Sequence, residues 1–430
     1  MKPVASTLAA PVARRLRLPL IRVPDVLAER DFRRFWAGET VSLFGDQITL
    51  IALPLVAVLE LHASAAQMGF LGAAALAPNL LFSLHAGAWV DRRGRRRQTM
   101  IATAVGRAAL LATIPVAYAF GALTLAQLYV VGFLVGTLSV FFYVSYSTLF
   151  VSLVPREQYL EAGSLLHGSR AFSYVAGPSV GGALVQVLSA PIALVVDAVS
   201  FVVSALALRS ISPVEPPVER AERGHIKSGM RYIRRSSVVW SSLLATSTIN
   251  FFNFVFWALF ILYATKELGV KAGALGLVLG AGAVGGVLGA VFASRIAGRI
   301  GVGPAFVLGS ALFPAPLVLV PLAGGPRPVV LGCLFLAEFA SGFGVMVLDI
   351  NIGAIKAALI PDRLRARVSG AYMVVNYGVR PIGSLVGGLL GAWIGLRTTL
   401  WIGWAGALAG VLWLLPSPLM RLRELPEMEA

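Results

Sequence analysis

The sequence predicts an all-α membrane protein with twelve transmembrane helices in two pseudo-symmetric six-helix bundles. First, 57% of the residues are hydrophobic and only 13% are charged, which is more apolar than a soluble domain needs to fill a core. Second, apolar runs of about 20 residues, the length of a helix that crosses the hydrocarbon layer, recur along the chain. Third, motifs of the first half return in the second half at an offset of about 205 residues.

The apolar runs predict the individual spans. They lie at 34–60, 66–90, 99–119, 124–151, 162–188, 191–209, 239–264, 272–293, 304–322, 328–353, 368–394 and 398–416. The polar stretch 210–238 carries three prolines, as expected of a linker between two halves. We therefore expect a cytoplasmic tail at 1–33, bundles at 34–209 and 239–418 joined by that linker, and a second cytoplasmic tail at 419–430.

The net charge of +16 would suggest nucleic acid binding in a soluble protein. Here the loops on the side of both termini hold 29 of the 36 Lys and Arg residues, and the opposite loops hold 4. The positive-inside rule then places both termini on the cytoplasmic side of the membrane. We expect a bacterial inner membrane, with the lipid bilayer and not nucleic acid as the partner of the basic residues. Cys333 is the only cysteine and allows no intrachain disulfide, and we expect a monomer.

The repeat is visible in turn and helix-start motifs. The matching pairs are Gly94-Arg95 with Gly298-Arg299, Val154-Pro155-Arg156 with Ile360-Pro361-Asp362, and Gly181-Gly182 with Gly387-Gly388. Duplicated halves are typical of secondary transporters, whose substrate site lies near mid-membrane between the repeats.

The loop after the second span reads Gly87-Ala-Trp-Val-Asp91-Arg-Arg-Gly94-Arg-Arg. It resembles the signature loop of the major facilitator superfamily, although Trp89 replaces the usual aliphatic residue. Gly94 suits a tight turn, and Gly87 suits close helix approach. The resemblance implies a cytoplasmic gate in which Asp91 contacts the start of the eleventh span, near Arg365 and Arg367. The gate residues are Gly87, Asp91, Arg92, Gly94, Arg95 and Arg96.

The fifth span carries a second motif, formed by Gly177, Pro178, Gly181 and Gly182. It resembles the motif of proton-driven antiporters in the same superfamily, but Ser173 replaces an upstream glycine and the fourth span lacks the arginine of many drug antiporters. Gly and Pro also serve plain helix packing and bending. The opening segments 32–36 and 42–46 are similar to the branch of enterobactin exporters and macrolide efflux proteins.

Charged residues inside the spans are the candidate site, because each costs at least about 2.5 kcal/mol on insertion. Glu39 and Asp46 share one stripe of the first span with Ser42 and Thr49, and Asp46 lies near mid-membrane. Arg170 and Arg380 lie at similar depth in the fifth and eleventh spans, so opposite charges could pair. The alternative for Asp46 and Arg170 is a static ion pair between helices.

The resemblance places spans one, four, seven and ten around a central cavity. It therefore implies functional roles for Asp46 and for Glu338 in the tenth span. The implied polar and aromatic lining consists of Asn250, Asn253, Tyr143 and Tyr146. Arg107 and Asp197 lie in spans three and six, which the family places at the periphery, and we interpret them as structural.

Other signatures fail on context. Gly280-Ala-Gly282-Ala-Val-Gly285 matches a dinucleotide fingerprint by letter, but it lies within an apolar span. The sequence has no phosphate-binding loop, no local metal motif and no catalytic set, so we expect no cofactor, no metal and no enzyme. The favoured function is proton-coupled efflux of a small amphipathic molecule by alternating access. Uptake by symport remains open, and an intramembrane enzyme or lipid scramblase is a remote alternative.

Overall fold

The computed structural model describes residues 24–213, 215 and 226–424. A short 3₁₀ turn, Asp25–Ala28, leads into the first helix. The helices of the first half are α1 (Arg30–Leu55, continued by a π-helical turn to Glu60), α2 (Ala65–Arg93), α3 (Arg96–Ala119), α4 (Leu125–Val151), α5 (Tyr159–Leu188) and α6 (Ala190–Arg209).

The second half begins with a short amphipathic helix, α7 (Ile226–Arg235), in the linker. It continues with α8 (Ser237–Lys266), α9 (Ala272–Ile300), α10 (Val302–Leu312), α11 (Leu319–Leu322), α12 (Arg327–Leu359), α13 (Asp362–Ile394) and α14 (Leu396–Ala409). A 3₁₀ turn joins α10 and α11 into one span, and another extends α14 to Leu414.

Ten of these helical segments are long and apolar enough to cross a membrane on their own. The exceptions are α13, which carries Asn376, Tyr377 and Arg380 in its middle, and α14, which is short. Both complete the second bundle, because α13 packs against α2 and α8 and α14 packs against α8. The all-α architecture of two six-helix bundles is thus confirmed.

Predicted span ends lie within four residues of the helix ends, with three exceptions. Helix α9 continues to Ile300, α12 continues to Leu359, and α13 begins already at Asp362. These extra turns carry Arg or Lys residues, because a helix need not stop where the apolar run stops. The predicted tails 1–33 and 419–430 and the linker 210–238 fall partly outside the described residues.

The backbone turns repeat between the halves. Left-handed φ angles occur at His62, Gly94, Gly121 and Ser189, and again at Gly269, Gly301, Gly325 and Gly395. Each second member follows its partner by 204 to 207 residues. The loop geometry therefore repeats between the halves, and the tight turn predicted at Gly94 is confirmed. Its counterpart is Gly301, whereas Gly298, the predicted sequence match, lies within α9.

The apolar cores are distributed unevenly between the two faces of the molecule. We call the face where α1 begins and α14 ends the basic face, and the opposite one the far face. One core combines residues of both halves, such as Ile51, Leu55, Phe256 and Leu259, at the far-face ends of their helices. Toward the basic face, one core belongs to the first half alone and two belong to the second half alone. The bundles are therefore joined at the far face and separate toward the basic face.

Two seams of small residues hold the bundles together at the far face. Between α2 and α13, Gly69 faces Gly388, where an added methyl group would lie 2.6 Å from the partner Cα. Between α5 and α9, a methyl group at Gly182 would lie 2.5 Å from the carbonyl oxygen of Ala272. The bundles are thus closed against each other at the far face, as in one state of alternating access.

Candidate transport site

The site in the first bundle is built around Asp46 on α1. Its side chain is 28% exposed, and Oδ1 lies 3.8 Å from Nη1 of Arg107 on α3. The Tyr143 hydroxyl of α4 donates to Oδ2 over 3.4 Å. Because the carboxylate is partly exposed while its arginine is buried, a solute or proton can reach Asp46 without first reaching Arg107.

Arg107 is buried inside the first bundle, where it forms an ion pair between α3 and α1, so its interpretation as a structural residue stays a prediction. Its guanidinium carbon lies 4.3 Å from the ring centre of Phe142 and 4.0 Å from that of Phe201. Both aromatic faces attract the cation. The ion pair of Asp46 is with Arg107 of α3, whereas the similar depth of Arg170 had suggested α5 as a possible partner.

Asp197 on α6, also interpreted as structural, accepts hydrogen bonds from two hydroxyl groups. Ser200 Oγ donates to Oδ1 over 2.9 Å, and Thr49 Oγ1 of α1 donates to Oδ2. The Asp197 side chain is fully buried. Helical spacing placed Thr49 on the same stripe as Asp46, but no sequence signal connected that stripe to α6.

Glu39 and Tyr146 lie nearer the basic face than Asp46. Glu39 is buried, with 4% of its surface exposed. Tyr146, which was predicted to line the cavity, stacks on Phe35 at 5.5 Å between ring centres. Its ring therefore packs partly against the core of the first bundle. Arg170 on α5 is half-buried and lies within electrostatic reach of Glu39.

The antiporter-like motif of α5 packs against two helices. Gly177 and Gly181 face Gln47 and Ile48 of α1, and Gly182 faces α9 across the seam. Pro178 is buried in the same helix. The motif therefore lies where α5 contacts both α1, which carries Asp46, and α9 of the second bundle.

The second bundle contributes a polar network between α8 and α13. Asn250 donates to Asn376 over 3.2 Å, Asn376 donates to Thr246 over 2.8 Å, and the Thr246 and Tyr372 hydroxyls are 2.7 Å apart. Sequence reasoning found Asn250 but missed Asn376 and Tyr372. Their spacing of four residues on α13, opposite Thr246 and Asn250 on α8, was the available signal.

The remaining predicted residues of the second bundle lie apart from this network. Asn253 and Glu338 are buried, and Glu338 lies against α9, where a methyl group at Gly282 would be 3.2 Å from Oε2. Arg380 stacks on Tyr377 at 3.8 Å, with Phe254 at 5.3 Å. The second bundle thus presents an aromatic-flanked cation where the first presents a carboxylate.

The predicted gate loop is open in this conformation. Asp91 lies 4.0 Å from Arg96 of its own loop instead of contacting the start of α13, where Arg365 pairs with Asp362. A methyl group at Gly87 would meet nothing within 4 Å, so the predicted close helix approach at Gly87 is wrong for this state. Both differences follow from the separation of the bundles toward the basic face.

The other gate residues shape the loop itself. The Arg92 guanidinium donates to the carbonyl oxygen of Ala88 over 2.9 Å. Arg95 precedes α3, and the backbone N–H groups of Arg96 and Arg97 donate to the Glu215 carboxylate of the linker over 2.7 and 3.0 Å. Glu215 therefore caps the first turn of α3.

Comparison with known proteins agrees with this architecture. The family model of the Major Facilitator Superfamily matches residues 35–378 and, in a second match, residues 244–429. The chain belongs to the Major Facilitator Superfamily. The superfamily makes it a multi-pass membrane transporter and not an enzyme.

Relatives of this major facilitator chain include efflux proteins. The multidrug efflux pump Tap of Mycolicibacterium fortuitum is 27% identical over 83% of this chain and 88% of its own length. Tap of Mycobacterium tuberculosis is 25% identical over 83% of this chain and 85% of its own length. A Bacillus subtilis protein named uncharacterized MFS-type transporter YfiS is 25% identical over 84% of this chain and 86% of its own.

Solved structures show the same fold. A bacterial homologue of the iron transporter ferroportin, in an inward-facing state, has a TM-score of 0.71 at 18% identity and covers 90% of this chain and 98% of its own. The nucleoside transporter NupG, as a D323A mutant, has a TM-score of 0.73 at 11% identity and covers 90% of this chain and 99% of its own.

Proposed function

We propose that this transporter exports small amphipathic organic molecules from a bacterial cytoplasm in exchange for protons. The observation that carries the proposal is Asp46, a partly exposed carboxylate held by Arg107 at 3.8 Å and Tyr143 at 3.4 Å. The names of the Tap relatives support export as the direction. The basic loops support a cytoplasmic basic face, so the side on which the bundles separate would face the cytoplasm.

The geometry supports exchange at Asp46 for an electrostatic reason. An ionised Asp46 neutralises Arg107, and a cationic or protonatable solute in the cavity would compete with Arg107 for the same carboxylate. A proton bound at Asp46 would remove its attraction for that solute. Proton and solute therefore exclude each other at one group, which is the requirement for antiport.

The aromatic side chains near Asp46 suit an amphipathic solute. Tyr143 is 41% exposed, and Phe172 and Tyr174 of α5 are 62% and 50% exposed. In the second bundle, Tyr377 beside Arg380 is 42% exposed. Aromatic surface with few charges favours organic molecules that carry both an apolar body and a charged group.

The experiment is efflux of a fluorescent amphiphilic amine from cells that express the wild type or Asp46→Asn, with and without a protonophore. We expect the protonophore to abolish export, and the substitution to slow it about tenfold or more, because it removes the carboxyl group at which proton and solute would exchange. Glu157→Gln is the matched control, because it converts an exposed carboxyl into a carboxamide at the basic face and should export normally.

Two results would contradict the proposal. Export that continues with the protonophore would exclude proton coupling, and full export by Asp46→Asn would exclude Asp46 as the exchange site. Accumulation of the amine above the level of cells without the protein would identify uptake instead. Membrane insertion of each variant is checked by immunoblotting of washed membranes.

A further inference from the structure

The guanidinium group of Arg107 has more hydrogen-bonding capacity than Asp46 uses. Its side chain is 1% exposed and lies between Phe142 of α4 and Phe201 of α6. Nη1 faces Asp46, while Nε and Nη2 have no acceptor among the described residues. The guanidinium therefore has two nitrogens that can bind a second partner while Phe142 and Phe201 stay in contact with it.

A second anion lies beside this cation. Asp197 precedes Phe201 by one turn of α6, so the helix that covers one face of the guanidinium also carries the carboxylate. Asp197 is fully buried, and its hydrogen-bond donors, Thr49 and Ser200, are both uncharged. Its own position would therefore favour a cationic partner.

The backbone of α1 brings the two carboxylates close together. A methyl group at Gly45 would overlap Oδ1 of Asp197 and Oγ of Ser200, so the absence of a side chain there lets Asp197 lie against α1. Gly45 directly precedes Asp46. Arg107 acts electrostatically on Asp46, on Asp197 and on Glu39, whereas Arg170 of α5 acts on Asp46 and Glu39.

We propose that Arg107 is a movable counter-ion that turns from Asp46 to Asp197 when Asp46 gains a proton or binds a cationic solute. The proposal rests on the proposed role of Asp46 as the exchange site. A buried guanidinium without an anion is strongly unfavourable, so loss of charge at Asp46 favours a turn toward Asp197, on the helix whose Phe201 already contacts the cation. Arg107 is thus a positioning residue, and occupation of the cavity is transmitted from α1 to α6.

The test is a double-mutant cycle on purified protein in detergent, with apparent Tm as the readout. Asp46→Asn mimics the neutral carboxyl, and Asp197→Asn removes the second anion. We expect Asp197→Asn to lower the apparent Tm about twice as much in the Asp46→Asn background as in the wild type, because contacting groups couple in such cycles. With Arg107→Gln present, the two decreases should be equal.

Equal decreases in the wild-type and Asp46→Asn backgrounds would overturn the proposal. Glu267→Gln, an exposed carboxylate at the far face, is the control that should give the same change in both backgrounds. If the Asp46→Asn, Asp197→Asn double variant does not accumulate, Asp197→Glu replaces Asp197→Asn. Accumulation of that charged version would support the requirement for an anion, and its failure would overturn it. The Tm measurement involves neither solute nor transport. The counter-ion proposal can therefore fail while the export proposal is supported, and the export proposal can fail while the counter-ion proposal is supported.

Discussion

Ser189 connects α5 to α6 with φ 99° and ψ 158°, a backbone conformation that side chains rarely adopt. Its counterpart in the second half is Gly395, with φ 89° and ψ 158°. A residue with a side chain held in such a region costs on the order of 1–3 kcal/mol. The same turn is therefore formed by a serine in the first half and by a glycine in the second, and only the serine is strained.

We expect Ser189→Gly to stabilise the protein by about 1 kcal/mol, because glycine adopts this conformation without steric cost but is more flexible when unfolded. The measurement is the apparent Tm of the purified protein. Ser210→Gly is the control, since Ser210 has φ −85° and gains nothing from glycine. A Tm that falls for Ser189→Gly as it does for Ser210→Gly would refute the argument.

At this scale the sequence predicted individual residues better than their partners. Helical spacing placed Glu39, Asp46 and Thr49 on one stripe of α1, and the turn at Gly94 followed from its residue type. The pairing of Asp46 with Arg107, and not with Arg170, depends on how α1 and α3 are rotated about their axes. Spacing along one helix contains no information about the rotation of its neighbour.

Among the elements, the α5–α9 seam depends on glycine on both sides. Gly182 faces Ala272 and Gly276. A methyl group added at Gly280 would lie 2.6 Å from the hydroxyl oxygen of Ser179. Small residues allow helix backbones to approach closely in a membrane, where burial of apolar surface supplies little driving force. Closure of the far face is therefore sensitive to the size of one side chain.

We expect Gly182→Val to disfavour the present conformation and to open the far face, because its methyl groups would overlap the α9 backbone. The readout is labelling of Ala65→Cys, which is 8% exposed at the far face, by a membrane-impermeant thiol reagent in a Cys333→Ala background. Labelling should rise several-fold, about 5-fold for a shift of 1 kcal/mol between the two states. Gly163→Val, where a methyl group meets nothing within 4 Å, is the matched control. Unchanged labelling would show that the seam does not control closure.

Spans were predictable at this scale because their apolar length is dictated by the bilayer. The ends of α9 and α12 were not, because the helices continue through Arg295, Arg299 and Lys356 after the apolar run has ended. The gate contacts of Asp91 were also missed, since they depend on which conformation the molecule adopts. The sequence alone does not indicate which of its conformations a transporter adopts.

For the whole molecule, each end of the linker is attached to its own bundle. Glu215 caps α3 in the first half, whereas Gly229 of α7 packs against the backbone of Arg367 and Tyr232 donates to the carbonyl oxygen of Leu359 in the second half. The contacts that join the bundles are the far-face core and the two glycine seams. The described contacts that join the bundles therefore do not involve the linker.

We expect the protein to function as two polypeptides, 1–215 and 226–430, the second with an added initiating Met. Co-expression should give protease-resistant, co-purifying fragments and at least about a tenth of the wild-type transport rate, since only the effective concentration of one half for the other is lost. Each fragment expressed alone is the control and should be inactive. Fragments that insert into the membrane but fail to co-purify would show that the covalent linker is required.

The glycine seams at the far face also have a kinetic consequence. When the far face opens to water, each Å² of apolar surface that becomes exposed costs roughly 25 cal/mol, and a contact between two peptide backbones exposes little of it. Parting Gly69 from Gly388, or Gly182 from Gly276, therefore sacrifices less free energy than parting two leucines would. A transporter must open this seam once in every cycle. Its turnover is therefore faster when the helices pack closely but little free energy is needed to separate them.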